Sequence, residues 1–82
     1  MRILIVEDEV RLAEALSQIM TEQKYMVDIA YDGEEGCDYA MGCDYDVIVL
    51  DVMLPKMNGF QIVKKMRANK NSTPVILLTA RD

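Results

Sequence analysis

Apolar residues in this chain follow two rhythms. Arg2-Ile3-Leu4-Ile5-Val6-Glu7 and Asp46-Val47-Ile48-Val49-Leu50 contain nearly unbroken apolar runs, the pattern of strands buried on both faces of a parallel sheet. Between them the period lengthens. Residues 9–23 place Leu12, Leu16, Ile19 and Met20 on one helical stripe, with Arg11, Glu14, Gln18 and Glu22 outside it. Met26–Ala30 reads as a short strand. Asp32-Gly33 starts a second helix, lined by Cys37, Ala40 and Met41 and ended by Gly42.

Beyond the second apolar run, residues 52–57 form a loop in which Pro55 stops the strand. Asn58-Gly59 opens a third helix with Phe60, Ile62, Val63 and Met66 as its expected inner face. Lys64, Lys65 and Arg67 face water and complement the negative end of the helix dipole. Residues 69–74 are a loop, and Val75–Leu78 is a fourth strand ending at Thr79-Ala80. The order β-α-β-α-β-α-β predicts an α/β fold with helices on both faces of a parallel sheet.

Composition and charge narrow the function. Eighty-two residues suit one small domain, and 51% hydrophobic content suits a packed core. Nine Lys+Arg against fourteen Asp+Glu leave a net charge of −5 with no basic stripe, which argues against nucleic-acid binding by this chain itself. No apolar run approaches the ~20 residues that span a bilayer, and residues 1–9 do not read as a signal peptide. A cytoplasmic protein without membrane contact is expected. The absence of histidine excludes Ser-His-Asp, Cys-His and His-ligated zinc chemistry. Cys37 and Cys43 read as reduced thiols, and Tyr25, Tyr31, Tyr39 and Tyr45 as packing at element ends. Gly33, Gly36 and Gly42 form neither a GxGxxG fingerprint nor a Walker loop.

The chemistry lies in three acids. Glu7-Asp8 stand at the end of the first strand and Asp51 at the end of the second continuous one. If those strands are neighbours, three carboxylates converge at one sheet edge and repel one another unless a cation joins them. Open parallel sheets bind ligands at that edge. Oxygen donors suit Mg2+, and the backbone carbonyl of Met53 could add to its shell. Asp51 is then available as a nucleophile that forms an aspartyl phosphate, with the Thr79 hydroxyl able to bond a phosphoryl oxygen. A plainer alternative stays open: Glu7 and Asp8 could cap the helix at 9–23, and Asp51 could simply end a strand.

Residues Ile3-Leu4-Ile5-Val6-Glu7-Asp8-Glu9, Val47-Ile48-Val49-Leu50-Asp51-Val52-Met53-Leu54-Pro55 with Gly59, and Pro74-Val75-Ile76-Leu77-Leu78-Thr79-Ala80 together resemble the receiver domain of two-component response regulators. The details look closest to the OmpR/PhoB class, whose receivers precede a DNA-binding domain. The resemblance covers residues 1–82 and implies a flavodoxin-like, CheY-like doubly wound sheet. It implies Asp51 as phospho-acceptor, with a sensor histidine kinase as the partner that donates the phosphoryl group. It also implies a Mg2+ site of Asp8, Asp51, the Met53 carbonyl and Glu7, the last largely through water. Thr79 becomes the switch hydroxyl, with the small Ala80 beside it.

Family members continue with a further helix, a fifth strand bearing a phosphoryl-binding lysine, and a last helix. The chain therefore reads as a partial receiver of strand order 2-1-3-4 without an effector domain, so that DNA would be reached only through that missing part. Lys56, Lys64, Lys65 and Lys70 do not occupy the place of the family lysine. An unpaired fourth strand is expected to favour a homodimer or a domain-swapped oligomer. Two other classes compete. A haloacid-dehalogenase-like phosphatase needs a second acid where Met53 stands, which disfavours an enzyme. An interaction module without phosphotransfer would keep the acidic edge but not the switch.

Overall fold

The computed structural model describes residues 1–78; Thr79, expected as the switch hydroxyl, and Ala80 beside it lie outside the described residues. The elements alternate as expected: β1 (Arg2–Val6), α1 (Val10–Glu22), β2 (Met26–Ala30), α2 (Gly33–Gly42), β3 (Val47–Asp51), α3 (Gly59–Ala68) and β4 (Val75–Leu78). The strands are parallel in the order β2-β1-β3-β4, which is the flavodoxin-like 2-1-3-4 arrangement.

The unbroken apolar runs follow from burial on both sides. Leu4, Val6, Ile48 and Leu50 pack with Cys37 and Ala40 of α2 and Ile62 and Met66 of α3. The alternate residues Ile3, Ile5 and Val49 pack with Ala13 on the α1 side, flanked by Leu16 and Met20. Successive side chains of a strand point to opposite faces, so Ile3–Val6 of β1 and Val47–Leu50 of β3 are apolar on both faces.

Two helical faces differ from expectation. Phe60, assigned to the core side of α3, is 59% exposed. At about 100° per residue it lies roughly 160° around the helix from Ile62, and the buried line is instead Gly59, Ile62 and Met66. On α1 the buried residue is Ala13, while Leu12 and Ile19 are exposed. The small Ala13 sits on the line nearest the sheet, and the larger Leu16 and Met20 fill in beside it. Met41, expected to line α2, is also exposed.

Tyr45 does more than pack an element end. Its ring is buried, and its hydroxyl donates to Asp28 Oδ2 at 2.7 Å. The same oxygen accepts from the Arg2 guanidinium at 2.9 Å, which lies 5.1 Å from the Tyr45 ring centroid. The Tyr45 hydroxyl, then Arg2, hold the Asp28 carboxyl below its ordinary pKa, and burial together with the bond to Asp28 pushes the tyrosine up. This cluster ties the start of β1 and Tyr45, just before β3, to the middle of β2.

Candidate metal centre

Chain direction through the sheet decides where the acids meet. From β1 the chain goes outward to β2 and then back across to β3, so the order reverses between β1 and β3. Ligand crevices of open α/β sheets lie at such switch points, outside the strand carboxyl ends. Val6 pairs with Leu50 in this register, which brings Glu7, the residue after β1, beside Asp51, the last residue of β3. Carboxylate oxygens of Glu7, Asp8 and Asp51 all lie within 4.8 Å of one another. Glu7 is 1% and Asp51 2% exposed, while Asp8 is the most open of the three.

Backbone bonds orient the two buried acids. Glu7 Oε2 accepts from the Glu9 N–H at 2.9 Å, and Asp51 Oδ1 accepts from the Met53 N–H at 3.1 Å. The Glu7 N–H donates to the Ala30 carbonyl at 3.0 Å, which fixes the exit from β1 against β2. Capping of α1 falls to Glu9, whose carboxylate accepts from the Arg11 and Leu12 N–H groups. The cap reading considered for Glu7 and Asp8 is therefore filled by another residue, one that carried no separate signal in the sequence.

Burial pushes the Glu7 carboxyl up to about 7, and the hydrogen bond with Asp8 and the charge of Asp51 act in the same direction, against the Glu9 N–H. Two buried acids and a third within reach are costly together and invite a hard cation. An oxygen-only donor set with this charge fits Mg2+.

The pH dependence of the metal-free protein follows from Glu7. Its folded pKa of about 7 exceeds the ordinary 4.5, so between these values the folded state binds more protons than the unfolded chain. Stability is then present at low pH and lost as pH rises through 7. Without divalent metal, the midpoint of thermal unfolding is expected to fall by about 5 °C from pH 6 to pH 8, and Glu7→Gln to flatten that slope. Asp28, held below its ordinary value, acts only at far lower pH and leaves this window alone. A wild-type slope equal to that of Glu7→Gln, read by circular dichroism, would refute the assignment.

The loop after Asp51 is tightly built. Leu54 N–H donates to the Val52 carbonyl at 3.2 Å, Met57 N–H to Pro55 at 2.8 Å, and Gly59 N–H to Val52 at 2.9 Å. Gly59 is needed for close approach, because a Cβ there would stand 2.5 Å from the Asp51 carbonyl oxygen and 3.0 Å from Val52 Cα. The chain in this way returns to the sheet edge it has just left and holds the backbone of Asp51 and Val52 from behind. In the sequence, Gly59 reads only as a helix start after Asn58. Its second role depends on what lies against it.

With this geometry in place, comparison with known proteins decides the family. The response regulator receiver domain model matches residues 3–82. The chain belongs to the receiver domain family. Among curated relatives, the response regulator ArlR of Staphylococcus aureus is 49% identical over 80 residues, covering 98% of this chain and 36% of the relative. The transcriptional regulatory protein DltR of Streptococcus agalactiae is 43% identical over 81 residues, covering 99% of this chain and again 36% of the relative. This receiver sequence thus spans about a third of the length of these curated relatives. Among solved structures, the response regulator TrrA of Thermotoga maritima, in complex with Mg2+-BeF, superposes with a TM-score of 0.90 at 34% identity, covering 99% of this chain and 70% of that one. The receiver described here is a regulatory domain of the two-component type. Among its described residues no helix is long and apolar enough to cross a membrane.

Proposed function

We propose that this receiver accepts a phosphoryl group on Asp51 from the phosphohistidine of a sensor histidine kinase, with Mg2+ bound at the three-acid edge. The observation that carries the reading is the convergence of the Glu7, Asp8 and Asp51 carboxylates within 4.8 Å at the sheet's switch point. Asp8, Asp51 and the Met53 carbonyl would hold the ion directly, with Glu7 acting largely through water. Bound there, Mg2+ supplies positive charge for the transferring phosphoryl oxygens. An Asp51 oxygen bonds to phosphorus as the phosphorus–nitrogen bond of the donor breaks, and the imidazole leaves with its electron pair and takes a proton. The Asp51–Met53 backbone bond keeps the nucleophile turned toward the crevice. Thr79 is proposed as the hydroxyl that bonds the phosphoryl group and reports it. We further propose a cytoplasmic regulator of the OmpR/PhoB class, in which this domain controls DNA binding by a separate output domain rather than acting as an enzyme.

The test is intact mass after incubation with Mg2+ and acetyl phosphate, for the wild type beside Asp51→Asn. A gain of about 80 Da, the mass of one phosphoryl group, in the wild type alone is expected. No gain in either protein would favour an interaction module that keeps the acidic edge without phosphotransfer.

Self-association through β4 belongs with the same proposals. β4 is the outermost described strand on its side of the sheet, and Ile76 on it is 54% exposed. Light scattering of the 82-residue chain at micromolar concentration is expected to give more than the monomer mass, and a monomer mass would rule this mode out.

A further inference from the structure

The β3–α3 loop contains a strained turn whose support comes from outside the loop. Lys56 has a φ of 72°, and the Met57 N–H bonds back to the Pro55 carbonyl around it. A three-residue turn with positive φ at a non-glycine residue is rare and persists only where its surroundings over-determine it. Here the surroundings are the first residues of α2. The Gly33 N–H, which as the first of a helix has no intrahelical acceptor, donates to the same Pro55 carbonyl at 3.0 Å. Asp32, the cap of α2, lies 3.6 Å from the Lys56 ammonium through Oδ2. Gly33 is buried flush against Met57, and a Cβ on it would stand 1.6 Å from the Met57 carbonyl oxygen. No rearrangement of side chains accommodates an atom there, so either the loop or the helix must move.

We propose that Gly33 is a positioning residue for the metal centre: by seating the start of α2 on Pro55–Met57 it sets the β3–α3 loop, and with it the Met53 carbonyl. The inference rests on the Mg2+ reading above. Gly33 itself touches no ligand, and it acts through a loop closed by the Val52–Leu54, Val52–Gly59 and Pro55–Met57 bonds. Between Met53 and Pro55 stands one residue, so a shift at Pro55 is transmitted over a very short lever.

The experiment is Mg2+ titration calorimetry on the wild type, Gly33→Ala, Gly36→Ala and Lys56→Met, at a temperature where circular dichroism shows each variant folded. Gly36→Ala is the control for general destabilisation, because a Cβ there meets the Val6 side chain at 2.5 Å rather than the loop. Gly33→Ala is expected to weaken Mg2+ binding about tenfold or more, since displacing a ligand by an ångström costs on that scale. Lys56→Met, which removes only the exposed ion pair, is expected to weaken it roughly two- to threefold. Gly36→Ala is expected to stay within about twofold of the wild type while losing comparable thermal stability. Wild-type affinity in Gly33→Ala overturns the inference and leaves the metal site standing. An equal loss in Gly33→Ala and Gly36→Ala overturns it as well. Absence of saturable Mg2+ binding in the wild type overturns the metal reading and the inference with it. If Gly33→Ala does not fold, Lys56→Met decides: weaker binding supports the clamp and unchanged binding overturns it.

Discussion

Gly59→Ala is expected to destabilise this receiver by about 3 kcal/mol, near the upper end for overpacking. The cost is high because the added methyl meets backbone, the Asp51 carbonyl oxygen at 2.5 Å and Val52 Cα at 3.0 Å. A flexible side chain could rotate away, but a strand end bonded into a sheet cannot. Relief requires α3 to withdraw, which breaks the Gly59–Val52 bond and opens the capping box formed by Asn58 and Gln61. An 82-residue domain has roughly 4–12 kcal/mol of stability in total, at 0.05–0.15 kcal/mol per residue. A loss of this size therefore moves a urea midpoint by a large fraction of its value. Urea unfolding followed by far-ultraviolet circular dichroism gives the number, and a loss below about 1 kcal/mol would show that the loop yields more easily than its contacts imply.

A paired substitution has the next largest expected effect. Leu50→Ala should cost about 3–4 kcal/mol, since Leu50 is fully buried among Leu4, Ile48 and Ile62 and its removal leaves a cavity that rigid strands cannot close. Phe60→Ala should cost no more than about 0.5 kcal/mol, because the ring already faces solvent. Read from sequence, the order of the two is unclear, and an inward Phe60 would make its truncation the more damaging. Denaturant midpoints of the two variants separate these positions. A Phe60→Ala cost matching that of Leu50→Ala would contradict the placement of α3.

Element order and the acidic site were legible because each rests on a short-range signal. Continuous apolar runs of about five residues between helical periods leave few alternatives to buried parallel strands. Carboxylates at the ends of such runs point to one sheet edge, although in the sequence alone the capping of the helix at 9–23 stays open as an alternative. The strand ends move by one residue, with Asp51 inside β3 rather than after it, without altering the chemistry. Helix faces were less legible. On α1 and α3, apolar residues cover more than the buried arc, and the helix turns toward the sheet the side that packs most closely: Ala13, Gly59 and Ile62. Small residues carry little hydrophobic signal, yet they set the distance of approach, which is why the apolar pattern points to Leu12, Ile19 and Phe60 while the structure leaves all three exposed.

The sequence by itself determined the alternation of strands and helices, the three acids of the candidate centre and the family that its motifs resemble. All of these are local, written in periodicity and in residues adjacent along the chain. Only the tertiary structure decided which residues meet across the chain: Glu7 beside Asp51, Tyr45 and Arg2 sharing Asp28, and Gly33 against Pro55 and Met57. The physical reason is that hydrophobic burial is non-directional and selects a fold without naming contacts. Hydrogen bonds, close backbone approach and charge clustering act over a few ångströms, and those distances exist only once the sheet has brought distant segments together.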